Sequence, residues 1–259
     1  MVADRCGKLL DQVSQKMKTR KQLPAFGYLN NFHIDTPQLI KHLKENNLLD
    51  WVHYIDVKVS TDGAFTPFIK ANQWTLDNLF KEADAPSLES EKFRQIQLTE
   101  FDKSKSRGPV EVKATTMIER VKRQDPNDPR YVPEADDHNY GVRTNMVIGE
   151  IERIFDMFTS RITRARLAYL GAGHEIKPHF DYDPSYVTRF HIPVLTHPDV
   201  SMFMQTKQGI QEQHLPADGR VYFFNAGLKH WVKNNSPYPR LHFIIDVHGQ
   251  EELEHLVAI

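Results

Sequence analysis

His179 and Asp181 stand two residues apart, just after a short apolar run and a glycine turn, in Leu167-Ala-Tyr-Leu-Gly-Ala-Gly-His-Glu-Ile-Lys-Pro-His179-Phe-Asp181. In extended chain, positions i and i+2 point to one face, so both side chains can reach a single metal ion. A second histidine, His230, opens another extended run far downstream, and Arg240 follows ten residues later. Two histidines and one carboxylate form the facial triad that holds Fe(II) and leaves coordination positions open for substrates. The spacing alone is a weak signal, because His33-x-Asp35 and His197-x-Asp199 share it. Asp35-Thr-Pro37 reads as a helix cap followed by proline at the first helical position. Pro198 makes the other a turn between strands. His179 differs from both in having a strand before it, a distant histidine, and an arginine placed after that histidine.

The strands that would position these groups alternate. In Arg240-Leu-His-Phe-Ile-Ile-Asp-Val247, the residues Leu241, Phe243, Ile245 and Val247 share one face, and Arg240, His242, Ile244 and Asp246 share the other. In Arg189-Phe-His-Ile-Pro-Val194, Arg189 and His191 lie opposite Phe190, Ile192 and Val194. The polar faces are either turned to water, as in an ordinary sandwich, or line a barrel that holds a small dianion. Arginine suits the second task, since its planar fork binds a carboxylate bidentately and keeps its charge.

With these segments in view, the chain resembles the aspartyl/asparaginyl β-hydroxylase-type branch of the Fe(II)/2-oxoglutarate-dependent dioxygenases, which includes bacterial proline hydroxylases. The resemblance rests on Gly173-His-Glu-Ile-Lys-Pro-His179-Phe-Asp181, Arg189-Phe-His-Ile-Pro193, Leu215-Pro-Ala-Asp-Gly-Arg-Val-Tyr-Phe-Phe-Asn225, His230-Trp-Val-Lys-Asn234 and Arg240-Leu-His-Phe-Ile-Ile-Asp-Val247. It covers the second half of the chain and is specific as an ordered set. It implies a mainly β protein with a double-stranded β-helix (cupin or jelly-roll) core. It places iron on His179, Asp181 and His230. It implies that Arg240 binds the distal carboxylate of 2-oxoglutarate, with Arg189 and His191 near this cosubstrate. O2 is the remaining reactant, and the implied reaction inserts one oxygen atom into a C–H bond of an amino acid, an amino-acid derivative or a peptide residue.

Other residues compete for these roles. His214, His242, His248 and His255 are rivals of His230, but only His230 has the order strand, loop, histidine, strand, arginine. Asp183 shares the alternation of His179 and Asp181, yet Pro184 after it favours a turn. Iron halogenases related to this branch have a small residue where Asp181 stands, so the resemblance is to hydroxylases. Two different functions stay open at this stage. One is a non-enzymatic cupin-like binding module; the other is a metal-dependent barrel enzyme that does not use 2-oxoglutarate.

The chain has 259 residues and a formal net charge of −1, so no global field favours nucleic acid or an anionic membrane. A small molecule or peptide is the expected partner. Cys6 is the single cysteine, and no apolar run is long enough to span a bilayer. The N-terminus lacks an apolar signal-peptide region, and a cytoplasmic setting is expected. Residues 1–140 read as a helical or mixed extension and 141–259 as the dioxygenase core, the two forming one compact unit. Leu9, Leu10, Val13 and Met17 suggest an amphipathic helix over 4–19. Thr36-Pro37 opens a helix reaching Asn46. Strands are expected at 51–59 and 93–101, a short helix after Thr75, a helix over 145–160, and a strand over 161–170. Within that last strand, Arg164 and Arg166 either face the site or face water. Residues 102–140 are charged and proline-rich, and read either as a solvated excursion or as a lid bearing Tyr131, Asp136, Asp137, His138 and Tyr140.

Overall fold

A computed structural model of the chain describes residues 17–50, 55–56, 93–106, 126–129 and 131–259. Alternating apolar residues build two antiparallel sheets whose strands are β1 (Phe26–Leu29), β2 (Ile55–Asp56), β3 (Phe93–Gln97), β4 (Thr99–Glu100), β5 (Val142–Arg143), β6 (Arg161–Leu170), β7 (Glu175–His179), β8 (Thr188–Leu195), β9 (Val200–Thr206), β10 (Gly209–Gln213), β11 (Tyr222–Phe224), β12 (Lys229–Asn234), β13 (Arg240–His248) and β14 (Leu256–Ala258), with β4 and β5 forming a separate small ribbon. The major sheet runs β14-β1-β11-β8-β13-β6-β3-β2, and the minor sheet runs β10-β9-β12-β7. Ala168, Leu170, Tyr222, Phe224 and Ile244 of the major sheet pack against Val200, Met202, Met204 and Val232 of the minor sheet. The two sheets therefore face each other, and the expected mainly β jelly-roll core is what forms.

The other face of the major sheet is also covered. Helices α1 (Thr36–Glu45) and α2 (Gly149–Phe155) lay Leu39, Leu43, Ile151, Ile154 and Phe155 on Phe190, Ile192, Val194, Leu241, Phe243, Ile245 and Val247. This burial on both sides explains why β13 is buried along all but its last residue. It also answers the alternation of β8 and β13, since the apolar face meets helices and the polar face lines the barrel. The chain before residue 140 contributes β1, which pairs with β11 and β14, and β3, which pairs with β6.

α1 begins as its cap predicts, with the Asp35 carboxylate accepting from Gln38 N at 2.9 Å and Pro37 in the first turn. The strand expected over 93–101 divides into β3 and β4 at Leu98, whose N–H donates to Ala165 O at 2.8 Å and whose side chain is fully buried. The helix expected over 145–160 is shorter. Gly149, at φ 55°, takes a left-handed conformation that a helix cannot continue through, so α2 starts there. Phe158 lies beyond its end and packs on Phe190 and Phe32 at 5.6 and 5.2 Å between ring centres. The strand over 161–170 forms as β6. The expected helix over 4–19 falls outside the described residues up to residue 16, as does all of the helix after Thr75; of the 51–59 strand, only β2 is described.

Candidate active site

β7 ends on His179, and β12 begins by placing His230 directly across from it, the two being Cα partners. Strand pairing thus brings together two histidines distant in sequence. The Nδ1–H of His179 donates to Lys177 O at 2.7 Å, and that of His230 donates to Leu228 O at 2.8 Å. In each case the acceptor is the carbonyl two residues upstream. That bond fixes the ring and the tautomer, and turns the Nε2 lone pair inward, as metal-binding imidazoles require. Asp181 follows β7 after Phe180, held by its own N–H donating to Ala226 O at 3.0 Å. Its Oδ1 lies 3.9 Å from His179 Nε2 and its Oδ2 lies 3.8 Å from His230 Nε2. One ligand atom from each residue falls within 4.8 Å of the others, and all three residues are buried. Two imidazoles and a carboxylate converging at this separation fit a divalent iron ion. Burial, with His179 alongside, pushes the His230 imidazole down to about 3, against the pull of Asp181, so it is neutral at pH 7. Burial alone would raise the Asp181 carboxyl. The Arg189 guanidinium, with His179 and His230, outweighs it and holds the group ionised below the usual carboxylate range.

Arg189 is committed to two carboxylates. Its Nε and Nη2 grip Asp246 Oδ1 and Oδ2 at 2.7 and 3.1 Å, and its Nη1 donates to Asp181 Oδ2. Arg166 Nη1 reaches the same Asp246 Oδ2 at 2.9 Å. Arg164 Nη1 lies 3.9 Å from Asp137 Oδ2. Burial pushes the Asp137 carboxyl up to about 6, although Arg164 opposes it. Arg164 and Arg166 are buried on the barrel side of β6, so the water-facing alternative for them does not hold. Arg189 therefore supports the triad's carboxylate, and its fork is not open to a ligand carboxylate. Counted among the described residues, the buried arginines here are 164, 166, 189 and 240, and the buried aspartates are 136, 137, 181 and 246.

Arg240 is the unmatched member. It is 1% exposed, and its Nε and Nη1 have no hydrogen-bond partner among the described residues. Burial alone brings its pKa down to about 9. A buried guanidinium with unfilled donors is costly unless an anion meets it. Arg240 and Asp246 occupy opposite ends of one face of β13. Since Arg189 ties Asp246 to Asp181, the triad lies toward the Asp246 end and Arg240 marks the other. Between them His191 and His242 touch, Nδ1 to Nδ1, at 3.1 Å. His191 was expected in the site. His242 and Asp246 were given no role, although the i+2 alternation from Arg240 already put both on its face.

The other candidates lie elsewhere. Asp199 N donates to His197 Nδ1 at 3.2 Å in an exposed turn, and Asp35 caps α1. Asp183 accepts from Ser185 N at 3.1 Å and from Arg20 N at 3.2 Å, so it shapes a turn. His214 Nδ1 bonds Val200 O at 2.9 Å, and His248 packs on His138 at 4.1 Å. Residues 131–140 are anchored to the barrel. Asp136 accepts from Tyr186 OH at 2.7 Å and from Tyr131 OH at 3.0 Å, and His138 stacks on Tyr186 at 4.2 Å. Residues 107–125 lie outside the described set.

Comparison with known proteins gives one sequence relationship. No curated protein sequence matches the chain. Several solved structures resemble it distantly. A 2OG-Fe(II) oxygenase family oxidoreductase from Burkholderia pseudomallei is 12% identical, with 61% of this chain and 68% of that one covered and a TM-score of 0.34. A cupin domain from Bordetella pertussis is 20% identical, with 33% and 81% covered and a TM-score of 0.27. Oxalate decarboxylase from Bacillus subtilis is 14% identical, with 38% and 23% covered and a TM-score of 0.28. No helix among the described residues is long and apolar enough to cross a membrane. The match that reaches the site is to the family model described as aspartyl/asparaginyl beta-hydroxylase, over residues 139–249. Over those residues the chain is similar to the aspartyl/asparaginyl β-hydroxylase family.

Proposed function

We propose that the protein is an Fe(II)- and 2-oxoglutarate-dependent hydroxylase of an amino acid, an amino-acid derivative or a peptide residue, working in the cytoplasm. The observation that carries this reading is Arg240, a buried guanidinium with unfilled donors in the same barrel as a His-Asp-His cluster. When bound, the iron would supply oxygen chemistry that converts 2-oxoglutarate to succinate and CO2 and adds one oxygen atom to a C–H bond. The chain's own residues do the positioning. His179 and His230 turn their Nε2 atoms inward because their Nδ1–H groups are spent on backbone carbonyls. Arg189 holds Asp181 ionised and oriented. Arg240 offers its fork to the distal carboxylate of the cosubstrate. Leu170, Met204, Phe224 and Ile244 supply apolar walls that exclude water and strengthen each charged contact. A binding module without catalysis has no use for a buried triad, and a barrel enzyme without 2-oxoglutarate leaves Arg240 without its anion.

Succinate release from 2-oxoglutarate tests the reading. The purified protein should form succinate only with Fe(II), and His179→Ala and His230→Ala should each abolish it while leaving the fold intact. Arg240→Lys keeps the charge but loses the fork, so 2-oxoglutarate should bind about ten- to a hundredfold more weakly. Succinate formation that survives His179→Ala, or cosubstrate affinity unchanged in Arg240→Lys, overturns it.

A further inference from the structure

The contact between His191 and His242 has a consequence for the anion subsite. Their Nδ1 atoms are 3.1 Å apart, both rings are buried, and neither Nε2 has a partner among the described residues. The charged and titratable groups acting on His191 are Arg240, Arg189, Arg166 and His230, and those acting on His242 are Arg240, His191 and His214. Burial first, and then the cationic Arg240, hold both imidazoles well below their usual range, so both are neutral at pH 7. A neutral imidazole carries one proton. A close Nδ1–Nδ1 contact between two such rings must contain one proton, because two lone pairs repel and two N–H groups collide. One ring therefore carries its proton on Nδ1 and has a bare Nε2, and the other carries its proton on Nε2.

The surroundings choose between the two arrangements. His242 stands two residues from Arg240 on the same face of β13. Arg240 acts on both rings, but His191 packs on Phe224, at 4.9 Å between ring centres, and Phe224 packs on His230 at 4.9 Å, so His191 is the ring on the metal-cluster side. A carboxylate held by Arg240 and reaching toward that cluster can only accept, so it needs an N–H from His191 on the neighbouring strand. That demand is met when His242 donates from Nδ1 to His191 Nδ1, and His191 keeps its proton on Nε2. We propose that His242 is a positioning residue that locks His191 as its Nε2–H tautomer, so that His191 donates to the carboxylate gripped by Arg240. This rests on the 2-oxoglutarate reading for the identity of the ligand, and on the imidazole pair alone for the tautomer.

The experiment has two arms on the full chain. Long-range proton–nitrogen spectra of histidine-labelled, metal-free protein should show His191 protonated on Nε2 and His242 on Nδ1. Titration with 2-oxoglutarate, with Mn(II) in place of iron, should show about tenfold weaker binding in His242→Leu. His242→Asn should restore it, because the asparagine Nδ2 can occupy the position of the lost donor. At saturating cosubstrate, kcat should change little in either variant, so that the effect falls on KM. A His191 ring protonated on Nδ1 in the wild type overturns the inference, as does equal 2-oxoglutarate affinity in all three proteins. Wild-type protein with the expected tautomers but no affinity for 2-oxoglutarate overturns the cosubstrate reading and leaves the imidazole pairing standing.

Discussion

Arg189 spreads one guanidinium over two buried carboxylates, Asp246 and Asp181. Asp246 and Asp181 raise its pKa against the burial that would lower it. Such a group is hard to replace, because removing one member of a buried ion network leaves the others desolvated and uncompensated. Arg189→Met should therefore lower the unfolding free energy at pH 7 by about 3–5 kcal/mol. Urea denaturation reads this directly, and a loss under 1 kcal/mol would show that the network is solvated and dispensable. The residue also shows the limit of reading chemistry from type. An arginine on the inner face of a strand reads as an anion receptor. Whether its fork is open depends on Asp246, which reaches it only through strand pairing.

β13 divides its labour between its faces. Leu241, Phe243, Ile245 and Val247 belong to the core under α1 and α2, and Arg240, His242 and Asp246 belong to the site. Ile245→Ala should then cost about 2–5 kcal/mol of stability, as large-to-small core changes do. The affinity of the folded fraction for 2-oxoglutarate should stay unchanged. Calorimetry and a binding titration on the same sample separate the two, and a selective loss of affinity would mean that the faces are not independent. The alternation of β8 and β13 was legible in the sequence because a period of two survives any tertiary context. The grouping of His179, Asp181 and His230 was legible because these residues sit at strand ends beside a turn. The burial of both sheet faces was not, since the covering helices come from distant sequence. Nor were β1 and β3 as members of the major sheet, because strands this short carry little periodic signal. The helix expected over 145–160 overstated α2, because the conformation of Gly149 and the turn before Phe158 decide its length.

At the scale of the molecule, the sheet is continuous across the chain. β1 sits between β14 and β11, and β3 extends the sheet beyond β6, so the segment before residue 140 closes edges that the family-matched segment would leave open. We propose on that ground that the described parts of both segments fold as one unit. The barrel so closed holds one buried cation, Arg240, whose Nε and Nη1 meet no carboxylate among the described residues. That unmatched charge makes its two guests dependent on each other. A divalent ion arriving alone adds to a charge of its own sign, and a dianion arriving afterwards relieves it. Thermodynamic reciprocity then requires that each guest improve the other's affinity by the same factor. Equilibrium dialysis of Mn(II) should show binding at least about fivefold tighter with 2-oxoglutarate present than without. A ratio of one would mean that the charges are screened from each other. Under the proposed function, the barrel would hold its metal ion firmly only while the dianion that shares the site is already in place.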